Sequence, residues 1–152
     1  MSMSLRPLHP ALLGATNSAV GTTALNAVTY LDMALRGRPS SSTPEKTRIP
    51  VPGHGDAEQN RIAGLGPLTG LLAGVDTGAA LGLARAAGWR PGLAAGTAAA
   101  ALGALVGTNG PMTALGVTDP RDWLASSWVA DLVPHLAYGA VTAAVLDRLT
   151  DR

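Results

Sequence analysis

Four stretches of the chain are almost free of charge, and the charged residues gather between them. Residues 7–31 and 91–118 carry no Lys, Arg, Asp or Glu, residues 62–84 carry only Asp76, and residues 123–146 carry only Asp131. A helix crosses a hydrocarbon core of about 30 Å with about 20 residues, so each stretch is long enough to span one. The pattern predicts helices over residues 10–35, 62–85, 91–116 and 121–148, with one polar loop over residues 36–61. None of the four has the repeating charged face of a helix packed on a soluble core. The fold expected is all-α: a polytopic membrane protein, a bundle of four transmembrane helices in a single domain over residues 1–152.

Within that pattern the second stretch has a further regularity. Gly66, Gly70, Gly74, Gly78 and Gly82 recur every four residues without a break. In water such a helix is poor, because each Gly costs about 1 kcal/mol relative to Ala. In a bilayer a stripe of small residues lets a second backbone approach closely. The stripe predicts Gly-rich close helix packing and no particular activity. Gly92, Gly96, Ala100, Gly103 and Gly107 repeat the theme in the third stretch. In the first, Ser18, Thr22, Asn26 and Thr29 fall at helical spacing and are expected to face inward, where hydroxyls and amides find partners. That stretch is too polar and too long for the apolar core of a signal peptide, and reads as a mature helix.

Composition adjusts this picture in two ways. The chain is 47% apolar and 14% charged, with 19 Gly, no Phe and no Cys. Soluble domains carry about 25% charged residues, so the chain is lean in charge. The mean hydropathy of +0.23 is modest, which keeps a soluble Ala/Gly-rich bundle as the alternative fold. The absence of Cys excludes disulfides and thiolate ligands. A net charge of +1 supplies no basic stripe for nucleic acid. His54, Asp56 and Glu58 lack the convergence a metal site needs, so neither metal nor cofactor is expected. Trp89 and Trp123 suit headgroup-level anchors, and Asp119 followed by Pro120 reads as a helix cap and first turn. Orientation is undecided by charge: an even number of spans puts five Lys/Arg on one side and six on the other.

The candidate chemistry lies in the fourth stretch. Ser127, Asp131, His135, Tyr138 and Thr142 follow at steps of 4, 4, 3 and 4, so they form one helical stripe. Pro134 leaves the Ala130 carbonyl without its helical donor. Ionisable groups within a span are costly and face a partner or water, and Asp76 and Asn109 are the candidate partners on other helices. Two roles are open. Asp131 and His135 relay protons or bind a polar solute, since His titrates near neutral pH, or they hydrogen-bond across helices and fix the bundle's register. No nucleophile motif, phosphate loop or metal-ligand set is present, and Ser127 shares its helix with Asp131 and His135, so no triad forms. A non-enzyme is expected: a helical module that oligomerises or docks to a membrane protein in the bilayer, with a small proton, ion or solute conductor as the alternative.

The segments Ala24–Asp32, Arg36–Ser40, Gly116–Pro120 and Asp131–Gly139 resemble a group of small, uncharacterised actinobacterial membrane proteins. The resemblance covers most of the chain. It implies a four-helix integral protein of the bacterial cytoplasmic membrane, a source that the ten Arg to one Lys also fit. His135 and Tyr138-Gly139 are similar to YagU-like inner-membrane proteins, which are associated with acid tolerance. That similarity rests on the last helix alone and implies no activity for this chain.

Overall fold

The computed structural model describes residues 8–37 and 54–150, and among these it is all-helical. Four long helices account for most of them: α1 (Leu8–Arg36), α2 (Asp56–Ala86), α3 (Leu93–Ala114) and α4 (Ala125–Thr150), with a 3₁₀ turn at Pro120–Asp122. Of the four, α2, α3 and α4 are long and apolar enough to cross a membrane; α1 is long enough but falls short in hydropathy. The loop expected over residues 36–61 lies largely outside the described residues.

Helix ends are set by local chemistry. Gly55 enters α2 with φ of 60° and the acidic Asp56 and Glu58 occupy the first turn, where they complement the helix dipole. This starts α2 six residues before the uncharged run. At its far end, Gly88 takes φ of 95°, its N–H meets the Arg85 carbonyl, and the Trp89 N–H meets the Ala84 carbonyl. The same paired closure ends α3, with Gly116 at φ of 68° and the Gly116 and Val117 N–H groups on Thr113 and Met112. Both are glycine-dependent helix stops, and the second explains why α3 ends before residue 116. Asp119 does cap, accepting from the Arg121 N–H at 2.9 Å, but the helix it opens is only the 3₁₀ turn. Trp123 then turns extended, so α4 begins at Ala125 and not at residue 121.

The helices run up and down, each antiparallel to the next. α1 packs closely on α2 and α4, and α3 packs closely on α4, whereas α2 and α3 meet more sparingly. The α1–α2 seam depends on glycine. A Cβ at Gly82 would strike the Pro10 carbonyl, one at Gly78 the Gly14 carbonyl and Ser18, and one at Gly74 would sit 2.7 Å from the Thr22 hydroxyl. Gly70 departs from the expected packing stripe, because nothing lies within 4 Å of a Cβ there. A four-residue repeat turns about 40° per step on a 3.6-residue helix. Three steps from Gly82 to Gly70 therefore carry the stripe off the α1 face. Of Gly66, the first of the five, the structure gives partial burial and a carbonyl that accepts from the Thr69 hydroxyl at 2.7 Å.

The interior is small and polar. The largest side chains under 2% exposed are Tyr138, Asn17, Thr142 and Ser18, and Ala100, Ala104 and Tyr138 form the core cluster. The inward face of α1 differs from the one expected. Ser18 is buried and Thr22 half-buried, but Asn26 is exposed and Asn17 is buried in its place. The two Asn residues are nine positions apart, which is about 180° of helix rotation, so they cannot both face inward. Gly14, Asn17, Ser18 and Gly21, all buried, mark the face that does.

Candidate functional site

The expected stripe of α4 faces the other helices along most of its length. Ser127 is exposed, Asp131 half-buried, and His135, Tyr138 and Thr142 buried. Asp131 and His135 meet α3, and Tyr138 meets α2. Asn109 on α3 donates from Nδ2 to Asp131 Oδ2 at 2.7 Å. His135 Nδ1 lies 2.7 Å from the Asp131 carbonyl and 3.6 Å from its carboxylate. His135 Nε2 lies 3.3 Å from the Thr108 hydroxyl on α3. Tyr138 turns the other way and donates to the Gly74 carbonyl on α2 at 2.7 Å.

A carbonyl oxygen only accepts, so His135 Nδ1 carries a proton. The Thr108 hydroxyl has a single proton and lies 2.9 Å from the Ala104 carbonyl and 3.1 Å from that of Leu105. The Thr108 hydroxyl can therefore bond either of those carbonyls or His135 Nε2, but it has one proton for the three.

Asp76 does not join this site. It is exposed on α2 and lines a groove of about 450 Å³ against α3, together with Ala80, Ala99 and Gly103. Among the described residues no hydrogen bond or ion pair holds its carboxylate. Its place follows from Thr77, which packs under Gly103 and points the next face of α2 outward. Asp32, the single acid of α1, is held by Arg36 through both carboxylate oxygens, at 2.8 and 2.6 Å.

Two buried groups carry more of the interior than their sequence positions announce. Asn17 donates to the Thr142 carbonyl at 2.7 Å, joining α1 to α4. Arg85, only 6% exposed, pairs with Asp147 and joins the ends of α2 and α4. The signal for Arg85 is topological: with an even number of spans, the end of the second helix and the end of the fourth lie on one side. Around Asn17 the buried Asn17 Oδ1, Thr22 Oγ1 and Thr142 Oγ1 have no hydrogen-bond partner among the described residues. The described residues contain no group of three or more His, Asp or Glu arranged to hold a metal ion. At the far end Trp123 donates to the Thr118 hydroxyl at 2.8 Å and packs on Trp128 with ring centroids 5.0 Å apart.

No protein-family model, curated protein or solved structure matches this chain.

Proposed function

We propose that the chain is an integral protein of the bacterial cytoplasmic membrane in which all four helices span, and that it serves as a non-catalytic helical module. It assembles with a membrane partner or with further copies of itself. The observation that carries the membrane assignment is an inversion of polarity. Leu12, Leu72, Leu102, Val106 and Leu136 are all more than half exposed, while Asn17, Ser18, His135 and Thr142 are buried. Water would reverse that distribution, and a hydrocarbon surround favours it. The inversion also explains α1, whose low hydropathy comes in part from polar residues turned inward. Its exposed Thr16 and Thr23 return their hydroxyl protons to the carbonyls of Leu12 and Ala19, which suits them to lipid. Trp89 sits before α3 at one end of the bundle and Trp123 with Trp128 lie beyond its other end, and the 22 residues of α3 between them rise about 33 Å at 1.5 Å per residue.

A module assigned to assembly needs a free face. The glycines of α1, α2 and α4 are mostly consumed inside the bundle: Gly14, Gly74, Gly78, Gly82 and Gly139 all face a neighbouring helix. The sparsely packed α2–α3 side supports the assembly role better. The test is fractionation followed by sizing. The chain is expected to resist alkaline carbonate, and to elute from mild detergent as a species well above its own 15.3 kDa after allowance for bound detergent. Recovery in the soluble fraction would sink the membrane assignment, and a lone chain in detergent and in nanodiscs would sink the assembly role.

A second function is favoured by one observation: polar groups follow α4 from Asp131 through His135, Tyr138 and Thr142 towards the Arg85–Asp147 pair. This row supports a small proton or ion conductor. In liposomes such a protein gives a pH-dependent flux that Asp131→Asn abolishes without unfolding. A folded wild type with no flux above empty liposomes rules the conductor out.

A further inference from the structure

Among the described residues, Asp76 is an ionisable group deep within a span whose carboxylate no hydrogen bond or ion pair holds. It lies ten residues before Ala86, the last residue of α2, which is about 15 Å along the axis and close to the middle of a core of about 30 Å. At that depth a carboxylate is costly unless paired. The other intramembrane acid, Asp131, has Asn109 as a donor. Asp76 instead is exposed at a groove whose walls are mostly small, Ala80 and Ala84 from α2 and Ala99 and Gly103 from α3, with Thr77 and the larger Leu81 of α2 completing the lining. Small walls admit a helix backbone at close range. The groove also lies along the seam where the bundle's own packing is thinnest among adjacent helices.

We propose that the α2–α3 groove docks a single transmembrane helix of a different membrane protein, one that carries a Lys or Arg at the depth of Asp76. The proposal rests on the chain being a membrane module. Charge complementarity chooses the occupant. A lipid headgroup cannot reach mid-core, and a second copy brings no Lys or Arg there among the described residues. Among the described residues, Arg36, Arg61, Arg85 and Arg148 lie in the first two turns or the last turn of a helix, and Arg90 and Arg121 lie in connections. That holds for a copy in either orientation, because Asp76 is near the centre.

The test uses the full chain in phosphatidylcholine vesicles with a labelled Leu/Ala host helix bearing one central Arg, and the same helix with Leu there. Energy transfer from chain to helix reports association. The Arg helix is expected to bind roughly tenfold more tightly than the Leu helix, the scale of one interhelical polar pair. Asp76→Asn is expected to erase the difference, and Asp76→Arg to transfer the preference to a host helix with a central Asp. Circular dichroism and flotation of each variant check that it is folded and inserted. Equal binding of Arg and Leu helices by an inserted wild type overturns the docking proposal alone. Failure of the wild type to float with vesicles overturns the membrane assignment and the docking proposal with it.

Discussion

Arg85 and Asp147 lie 62 residues apart in sequence and form an ion pair that ties the end of α2 to the end of α4. The two helices are diagonal in the bundle, so this pair and the Tyr138–Gly74 hydrogen bond hold the diagonal together. Arg85 is nearly enclosed, while Asp147 keeps 26% of its side chain exposed. The two truncations are therefore unequal. Asp147→Ala strands a buried guanidinium and is expected to cost about 3 kcal/mol, whereas Arg85→Ala leaves a carboxylate that water still reaches and costs about half as much. Unfolding midpoints in a detergent titration would measure both, and equal losses would contradict the difference in burial.

The glycine stripe of α2 divides into two parts with opposite responses to a side chain. Gly78→Val places a branched side chain against the Gly14 carbonyl and Ser18, and is expected to destabilise by at least about 1–3 kcal/mol, the usual cost of overpacking. Gly70→Ala meets nothing within 4 Å and is expected to be neutral or to gain up to about 1 kcal/mol in helix propensity. Thermal midpoints of the two variants in the same detergent separate these cases. A harmful Gly70→Ala would mean that another chain covers that position.

Tyr138→Phe removes one buried hydroxyl and its hydrogen bond to the Gly74 carbonyl while keeping the ring in the core. The expected loss is about 1 kcal/mol. Thr142→Val should cost less by comparison, because its buried hydroxyl meets no hydrogen-bond geometry among the described residues and the replacement keeps its shape. A double-mutant cycle tests whether the two sites are independent.

His135 gives a spectroscopic prediction. Its neutral form should carry the proton on Nδ1, held by the Asp131 carbonyl at 2.7 Å, with Nε2 accepting from Thr108. Nitrogen-15 shifts of the labelled ring distinguish this tautomer from the Nε2–H form. Thr108→Val should leave Nδ1 protonated and change only the Nε2 resonance. A dominant Nε2–H tautomer in the wild type would contradict the geometry.

The helices were legible in the sequence because charge is almost excluded from them, and the stripe of α4 because a 3.6-residue period orders its polar positions. Asn109 beside Asp131 was legible for the same reason: both are polar groups deep in apolar runs, and each needs a partner. Asp76 satisfied the same rule and went elsewhere, since depth along a helix says nothing about which way a side chain faces. Asn17 and Asn26 make the point within one helix. Either could have been the inward residue, and Gly14 and Gly21 decided it by setting the face on which α2 and α4 close. The end of α2 at Ala86 was legible because Arg85 and Arg90 mark it, whereas the stop at Gly116 depends on a positive φ, which a run of apolar residues leaves unmarked.

The inverted interior carries an evolutionary consequence. In water-soluble proteins the buried aliphatic positions tolerate least and the polar surface drifts. Here Leu102 and Val106 meet the surroundings and any apolar residue serves them equally, while Ser18 sits where even a methyl more would press on α2. Natural variants of this chain should therefore change most at their leucines and valines and least at a few serines, threonines and glycines, so that the residues usually taken as the fingerprint of a core become its most interchangeable part.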